Sequence, residues 1–416
     1  MSQPAPGHTV TDEQGRRYRL GPELGCGAQA SVFEAVGPQG ERVAIKLFKA
    51  SPSRASDLQR AEALMRHAQQ RQLSLPAALP LAMVRDAAAQ GYVTTLVPDA
   101  HQLEALIESG QIAYFAGFQV VAALWEALAQ LHEAGIAHGD LRSRNILVNA
   151  NGLTLIDLDN FVLPGQPGLP PPPFVGDLEV MAPELRQRVL QRQPAAQLVG
   201  LATDVYAANA LTYLMLVGDD DNMGAVGLDA LHRAKLSGRW NGDPLAGGQA
   251  GNLNPRMLPV SLMSLIRQAW QGDPALRPSA REFARLLGQV LAERTLFSCP
   301  HCGQAVFADA LLRDCPHCQQ PMPVPVLQGP GVRVPVAQGA LTVGRAELGG
   351  DPSISSRHAV LQRMGPMLRF TDRSSFGTSH RDRGQGWEHI PPSSAVVLVP
   401  GDRLRLGRTE FQVAHG

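Results

Sequence analysis

The chain has 416 residues, of which 44% are hydrophobic and 18% are charged. Its 37 basic and 37 acidic residues leave no formal net charge, which excludes a generally basic nucleic-acid coat and an acidic tail protein. The hydrophobic content is typical of globular proteins, and at roughly 150 residues per domain the length predicts two to four domains.

Strand-like and helix-like patterns follow one another in the first part of the chain. Residues 1–15 are polar and rich in proline and glycine, which favours a flexible tail. Short strands come next, and then a helix is predicted from Ser56 to about residue 70, where Ser56 and Gln59 have the spacing of a capping box. Helices dominate from about residue 100 onwards, so we expect one mixed α and β domain over residues 16–295.

The last third of the chain has two further patterns. Four of the five cysteines lie close together, a proline-rich stretch follows them, and the remaining residues form short alternating runs typical of strands. The predicted order after the mixed domain is a cysteine module (296–322), a linker (323–330) and an all-β sandwich (331–416).

The sequence predicts no membrane segment. The first residues lack the apolar core of a signal peptide, and the longest apolar stretches, 115–131 and 198–218, are interrupted by polar residues. We expect both stretches to be buried helices, and we expect neither a membrane nor a nucleic-acid partner. The clustered cysteines favour a reducing, cytoplasmic compartment.

The N-terminal strands carry residues suited to binding a nucleotide. Gly25 and Gly27 form a glycine-rich turn between two strands, and Lys46, one of only three lysines, follows a buried apolar run. A buried ammonium group is costly unless it has a partner. Helical spacing puts Glu62 on one face with Leu58, so we predict that Glu62 points inward and pairs with Lys46.

Three later motifs follow in a fixed order, namely His138-Gly-Asp-Leu-Arg-Ser-Arg-Asn145, Leu155-Ile-Asp-Leu-Asp159 and Met181-Ala-Pro-Glu184. Together with the glycine-rich turn, the lysine and the helix glutamate, they resemble the eukaryotic-like bacterial Ser/Thr protein kinases. The resemblance covers residues 16–293 and implies a bilobal α+β catalytic domain.

The resemblance assigns a role to each matching position. Asp140 would accept or orient the proton of a substrate hydroxyl, assisted by Lys46, Glu62 and Arg142, and Asn145 and Asp157 would hold Mg²⁺ or Mn²⁺. The positions implied to bind the cofactor ATP are Gly25, Gly27, Val32, Ala44, Lys46, Asn145 and Asp157. Three further residues have structural roles by the same resemblance: Glu184 pairing with Arg277, and Asp204 anchoring the catalytic loop.

Several positions depart from the family pattern. Leu158-Asp159 replaces the usual Phe-Gly after the metal-binding aspartate, and Asp177 stands where a threonine normally bonds the catalytic aspartate. Gly139 replaces the arginine that receives an activation-loop phosphate in many relatives, and residues 157–184 contain no Ser, Thr or Tyr. We therefore predict a kinase that is not switched on by phosphorylation of this loop.

The cysteine module has the spacing of a zinc site. Two Cys-Pro-His-Cys units are separated by 12 residues, and their four thiolates would form a closed tetrahedral cage: Cys299, Cys302, Cys315 and Cys318. A module of about 25 residues cannot bury a sufficient core, so the metal would supply its folding energy. The two histidines, His301 and His317, compete weakly as ligands because four sulfurs already fill the shell.

The β region resembles a forkhead-associated (FHA) domain, a sandwich whose loops bind phosphothreonine. The resemblance is carried by Gly344-Arg345, Ser355-Ser-Arg-His358 and Asp372–Thr378. It implies that the phosphate is bound by Arg345, Ser355, Ser356 and Ser375. Residues 326–416 hold 11 arginines against 7 acidic residues, so this region attracts anions. Phe376 replaces the usual asparagine, which puts peptide selectivity in question.

The sequence thus predicts a Ser/Thr protein kinase that acts on protein substrates and recruits phosphothreonine-containing partners. By analogy with bacterial signalling clusters, a von Willebrand A-type protein and a metal-dependent phosphatase are expected partners. The alternatives left open are a pseudokinase or nucleotide-binding scaffold and a kinase for small molecules.

Overall fold

The structure of the chain is a computed structural model. The structure describes residues 5–86, 89–109, 114–163, 169–171, 180–217, 258–293, 295–315, 318–337, 339–375 and 377–416. Among the expected positions, Asp177, His317 and Phe376 lie outside these ranges. The chain divides into two compact units, Met1–Gly238 with Gln268–Arg285 and Arg239–Arg267 with Leu286–Gly416.

The first unit begins with an antiparallel sheet of six strands in the order β1-β2-β3-β4-β6-β5. The elements are β1 (Thr9–Thr11), β2 (Arg17–Cys26), β3 (Ala30–Val36), β4 (Arg42–Phe48), helix α1 (Arg54–Gln70), β5 (Pro80–Arg85) and β6 (Gln90–Thr95). β4 is central and almost entirely buried. Ile45 and Leu47 pack into the cluster on one face of the sheet, and Phe48 packs with Met65 of α1 on the other face.

The prediction of a flexible tail over residues 1–15 is wrong for the second half of this segment. Strand β1 pairs with β2, and Val10 is buried in the sheet's core. The carboxylate of Asp12 accepts hydrogen bonds from Arg16 (2.6 Å) and Tyr18 (3.1 Å). Buried Val10 and the hydrogen-bonded Asp12 carboxylate hold this polar stretch against the sheet. The average composition of residues 1–15 does not reveal these two contacts.

Helix α1 begins two residues before the predicted start. Its N-cap is Ser53, Arg54 is its first residue, and no side-chain capping bond forms, so the predicted box of Ser56 and Gln59 is wrong. Ser53 instead donates to the Asp57 carboxylate at 3.0 Å.

The rest of the first unit is mainly helical, with a small sheet in the order β7-β8-β9. Its elements are β7 (His101–Gln102), α2 (Leu103–Glu108), α3 (Tyr114–Glu133), β8 (Ile146–Asn149), β9 (Gly152–Leu155), α4 (Pro183–Leu190) and α5 (Leu201–Val217). The core of this part is built on Trp125 of α3, whose ring stacks on Phe283 at 3.8 Å and whose indole N–H donates to Thr212 of α5 at 2.8 Å. Two further helices, α6 (Val260–Ala269) and α7 (Ala280–Glu293), follow in the chain.

The second unit contains a short hairpin and a sandwich of two antiparallel sheets. The hairpin is β10 (Leu296–Ser298) with β11 (Ala305–Phe307). One sheet of the sandwich has the order β13-β12-β21-β20-β17-β18, and the other has the order β14-β15-β16-β19. The strands are β12 (Pro325–Gly329), β13 (Val332–Pro335), β14 (Ala340–Val343), β15 (Ala359–Met364), β16 (Met367–Asp372), β17 (Ser379–Asp382), β18 (Trp387–His389), β19 (Ala395–Leu398), β20 (Arg403–Leu406) and β21 (Thr409–His415).

The predicted linker over residues 323–330 is largely a strand. β12 occupies most of it and pairs with both β13 and β21, with Val326 and Leu327 buried. Pro325 is tolerated at the first position of the strand, where no ladder donor is required. The described residues of 331–416 form strands and turns, as the alternation predicts.

Candidate functional site

Lys46 occupies the centre of the candidate site because of the alternation of strand β4. Ile45 and Leu47 face one hydrophobic cluster, so Lys46 points to the opposite face of the sheet. Its side-chain amine donates to the Asp157 carboxylate at 2.5 Å and to the Asp159 carboxylate at 2.7 Å. The buried Lys46 ammonium group therefore lies between two acidic side chains.

These three groups influence one another's protonation. Burial alone lowers the pKa of Lys46, but the Asp159 and Asp157 carboxylates outweigh it and hold this pKa well above its usual value. Burial raises the pKa of Asp159; Lys46 opposes this shift and Asp157 adds to it. Burial also raises the pKa of Asp157, but the Lys46 ammonium outweighs it and the net shift is downward. Lys46 is therefore cationic at neutral pH.

The prediction that Glu62 points inward and pairs with Lys46 is wrong. The carboxylate of Glu62 accepts hydrogen bonds from Arg66 and, at 2.6 Å, from Arg85. The buried face of α1 consists instead of Asp57, Arg60, Ala61, Leu64, Met65 and Ala68. A hydrophobicity pattern does not select this face, because two of its members carry charge.

The catalytic-loop motif is anchored by Asp204 of α5. The Asp204 carboxylate accepts the backbone N–H groups of His138 (2.6 Å) and Gly139 (2.9 Å), and His132 lies 3.1 Å from it. Because charge-assisted bonds to backbone donors are strong, this buried carboxylate fixes the course of the loop. The anchoring role implied by the sequence resemblance is confirmed by these contacts.

Gly139 adopts a backbone conformation that favours glycine. Its φ is 79°, and a Cβ at this position would lie 2.1 Å from the backbone oxygen of Asn160. Since real Cβ atoms do not approach backbone atoms so closely, any side chain here requires the Asn160 segment to shift.

Asp140 and Asn145 are brought together on this loop. The Asn145 amide donates to the backbone oxygen of Asp140 at 2.8 Å and to its carboxylate at 3.2 Å, and Arg142 lies 3.4 Å from the same carboxylate. The backbone oxygen of Asn145 in turn accepts the N–H of Ile156 at 2.9 Å, which places Asp157 next to the loop. The predicted acid, amide and metal-binding positions thus form one connected group.

The glycine-rich turn joins β2 to β3. Gly25 lies at the end of β2, and the N–H of Gly27 donates to the oxygen of Ala30 at 2.9 Å. The Lys49 amine donates to the oxygen of Gly27 at 2.6 Å, which ties the turn to the end of β4. The two apolar positions expected to contact the cofactor lie on the adjoining strands, Val32 on β3 opposite Lys46 and Ala44 on β4.

Sequence reasoning missed Arg60, which is 2% exposed. From α1 it donates to three backbone oxygens after Asp157, those of Asp159 (3.1 Å), Pro170 (2.6 Å) and Phe161. Burial lowers its pKa to about 10, and nearby carboxylates oppose this shift, so it remains cationic at neutral pH. No sequence signal marks it, because its acceptors are backbone atoms about a hundred residues away.

Residues 18–286 match the family described as protein kinase domain. The chain belongs to the protein kinase family. The match spans the glycine-rich turn, the lysine of β4, the catalytic loop and the pair formed by Glu184 and Arg277.

Curated relatives of this chain come from several organisms. It is 30% identical over 303 residues to the serine/threonine-protein kinase PkaA of Streptomyces coelicolor, covering 67% of this chain and 50% of PkaA. It is 28% identical over 298 residues to the probable serine/threonine-protein kinase PkwA of Thermomonospora curvata, covering 67% of this chain and 34% of PkwA. The chain therefore spans half or less of the length of these relatives.

The four clustered cysteines lie beyond the residues matched to the kinase family. Their sulfur atoms all lie within 4.8 Å of one another. The Sγ atoms of Cys299 and Cys318 are 4.0 Å apart, and those of Cys302 and Cys315 are 3.7 Å apart. Four sulfurs placed tetrahedrally at about 2.3 Å from Zn²⁺ would be separated by roughly 3.8 Å, so the arrangement fits this ion.

Equivalent backbone hydrogen bonds flank the two cysteine units. The N–H of Cys299 donates to the oxygen of Gln304 at 2.8 Å, and the N–H of Cys315 donates to the oxygen of Gln320 at 2.8 Å. Burial raises the pKa of Cys299, but backbone N–H groups of the turn outweigh it and lower the value to about 7. His301 contacts the oxygen of Pro321 at 3.1 Å, which is consistent with a site of four sulfurs.

The expected phosphate-binding residues of the sandwich meet at one end of it. Arg345 and Ser355 belong to the connection between β14 and β15, and Ser375 to the connection between β16 and β17. The N–H of Ser375 donates to the Ser355 hydroxyl at 3.1 Å, and the N–H of Arg345 donates to the oxygen of Ser355 at 3.0 Å. Arg345, Ser356 and Ser375 are exposed, whereas Ser355 is buried. The two loops therefore form one surface with an exposed guanidinium.

His358 supports this surface from within. Its Nδ1 accepts the N–H of Ser355 at 3.1 Å, and its Nε2 lies 3.0 Å from the Ser379 hydroxyl. The Ser379 hydroxyl donates in turn to the buried carboxylate of Asp372.

None of the helices in the described part of the chain has the length and apolar character that a membrane span requires.

Proposed function

We propose that this protein kinase transfers the γ-phosphate of ATP to Ser and Thr hydroxyls of protein substrates. The observation that supports this most is the connected group of Asp140, Asn145, Asp157 and Lys46. Phosphoryl transfer needs alignment and charge neutralisation rather than covalent chemistry by the protein, and these four side chains suit that task.

Each side chain has a defined task in this proposal. Asp140, with Arg142 beside its carboxylate, orients the substrate hydroxyl and takes up its proton. Lys46 binds phosphate oxygens of ATP. Asn145 and Asp157 have the oxygen donors that Mg²⁺ or Mn²⁺ prefers, and such an ion neutralises phosphate charge when bound.

The kinase test is incubation of the full chain with γ-labelled ATP, Mg²⁺ and a panel of protein substrates. Asp140→Asn and Asp157→Ala are expected to lower the labelling by about 100-fold or more. Asp99→Asn, in an exposed turn, is the matched control and is expected to label like the wild type. Equal labelling in all variants would contradict the proposal.

A nucleotide-binding scaffold is the second candidate. It is favoured by the position of Glu62, which contacts Arg66 and Arg85 rather than Lys46. In that case the full chain retains ATP with Mg²⁺ but transfers no phosphate to any protein.

We also propose that activity does not depend on phosphorylation of the activation loop. Gly139 offers no guanidinium for a phosphate, and residues 157–184 offer no hydroxyl. A phosphate found by mass spectrometry within 157–184 of the active enzyme would contradict this.

The sandwich is proposed to be an FHA domain that recruits phosphothreonine-containing proteins. Its support is the surface formed by Arg345, Ser355, Ser356 and Ser375. Binding of fluorescent phosphothreonine peptides tests it: Arg345→Ala is expected to abolish the binding, whereas Arg333→Ala, on strand β13, is not. Peptides that bind equally well without phosphate would contradict the proposal.

The cysteine module is proposed to hold a structural Zn²⁺ with Cys299, Cys302, Cys315 and Cys318. A von Willebrand A-type protein and a metal-dependent phosphatase stay proposed partners on the analogy with bacterial signalling clusters.

A further inference from the structure

Asp159 lies next to Lys46, in the position that the sequence analysis assigned to Glu62. Its Oδ2 atom accepts the Lys46 amine at 2.7 Å, and its side chain is 14% exposed, against 38% for Asp157. We propose that Asp159 is the positioning residue that orients Lys46 toward the nucleotide, in place of a helix glutamate. This inference rests on the proposed kinase function.

Both oxygens of the Asp159 carboxylate are held. The Tyr92 hydroxyl, from strand β6, donates to Oδ1 at 3.3 Å while Lys46 donates to Oδ2. The backbone oxygen of Asp159 accepts the Arg60 guanidinium at 3.1 Å. A side chain fixed at both oxygens and through its own backbone holds a flexible lysine in one direction, which is what alignment for catalysis requires.

Glu62 is unable to take this role while α1 keeps its present rotation. The residue of α1 that is buried next to it is Ala61, at 6% exposure. Moving Glu62 into the position of Ala61 requires a rotation of about 100°, since a helix has about 3.6 residues per turn. That rotation would remove Arg60 from the three backbone oxygens that it contacts.

Because two carboxylates lie beside Lys46, metal binding and pairing with Lys46 are assigned to different side chains. Asp157 is the side chain proposed to bind Mg²⁺, and a carboxylate engaged by a metal ion is a weaker partner for an ammonium group. Asp159 leaves Lys46 with an acidic partner in that state. The glycine that is usual at this position in the family has no side chain. Asp159 therefore gives this chain a second acidic partner for Lys46.

The experiment compares Asp159→Asn with Glu62→Gln, two changes of carboxylate to amide, and adds Asp159→Glu as the conservative variant. The first readout is acylation of Lys46 by an amine-reactive reagent, followed by mass spectrometry on the full chain without nucleotide. The chain has only three lysines, so half-buried Lys49, whose amine donates to the backbone oxygen of Gly27, serves as the internal standard. Because Asp159 holds the Lys46 amine by a hydrogen bond of 2.7 Å, Asp159→Asn is expected to shift the rate of Lys46 acylation upward by about threefold or more relative to Lys49, measured at one fixed pH.

The second readout is kcat/KM for ATP. Asp159→Asn is expected to lower it at least tenfold, Asp159→Glu is expected to restore part of the loss, and Glu62→Gln is expected to stay within about twofold of the wild type. The inference is overturned if Lys46 acylation in Asp159→Asn matches the wild type, or if Glu62→Gln has the larger effect. A wild-type chain that transfers no phosphate, with the acylation shift present, contradicts the proposed kinase function and supports the Lys46–Asp159 pairing.

Discussion

Arg277 and Glu184 form a bidentate salt bridge, in which the two terminal guanidinium nitrogens donate to different carboxylate oxygens, both at 2.8 Å. The Arg277 side chain is 1% exposed and also donates to the backbone oxygen of Ala202 at 3.0 Å. Its guanidinium lies 5.1 Å from the ring of Tyr206. A buried arginine with all these partners ties α4 to the start of α5.

We predict that Glu184→Ala lowers the free energy of unfolding of the first unit by about 3 kcal/mol, because it leaves the Arg277 guanidinium buried without its carboxylate. Thermal unfolding of the full chain measures the loss. Gln187→Ala, an exposed position on the same helix, is the control and is expected to change stability by less than about 0.5 kcal/mol. Equal midpoints for the two variants would contradict the prediction.

Arg60 is predicted to keep the segment after Asp157 ordered without a phosphate. Arg60→Met removes bonds to three backbone oxygens, so hydrogen exchange of residues 157–163 is expected to speed up at least tenfold. Arg66→Met, on the same helix but at the surface beside Glu62, is the matched control. Faster exchange in both variants, or in neither, would count against this role for Arg60.

The sandwich is predicted to lose stability in mild acid through His358. Burial lowers the pKa of His358, and Asp372 opposes this shift. The stabilisation is therefore complete above the unfolded value of 6.5 and is lost as the pH falls through the folded value. Protonation of Nδ1 also removes the acceptor for the Ser355 N–H.

This pH effect is measured as the difference in unfolding temperature of the sandwich between pH 7.5 and 5.5. His358→Asn is expected to shrink that difference, whereas His415→Asn, at an exposed position of β21, is expected to keep it. A full wild-type difference in His358→Asn would show that another group is responsible.

The cysteine module is predicted to bind about one zinc ion per chain. Cys315→Ser is expected to lose the metal and to unfold residues 296–322, because the module buries too little apolar surface to fold alone. Cys26→Ser, at an exposed position of the glycine-rich turn, is expected to keep full zinc content. The checks are metal analysis of purified chains and hydrogen exchange of the module; a zinc-free wild type would refute the site.

Motif order predicts that the side chains of the candidate kinase site lie together, and the structure brings them together, while their catalytic roles stay predictions. The order of Lys46, Asp140, Asn145 and Asp157 is sufficient because strands and loops of the fold bring them together. The face of α1 was predicted wrongly, because burial of Arg60 depends on distant backbone oxygens that no local pattern encodes.

The second unit shows the same limit at its boundaries. Alternation predicts its strands, but the three prolines among residues 323–330 predict a linker where β12 lies. Pairing with β21, from the far end of the chain, is what makes residues 325–329 a strand. Long-range pairing of this kind leaves no trace in the residues of the segment itself.

The close approach of Gly139 to Asn160 constrains how this kinase can evolve. A single change that installs an arginine at 139 would collide with a backbone oxygen before it could sense any phosphate. An arginine at this position therefore needs a compensating change in the Asn160 segment, so a single substitution does not place a guanidinium here.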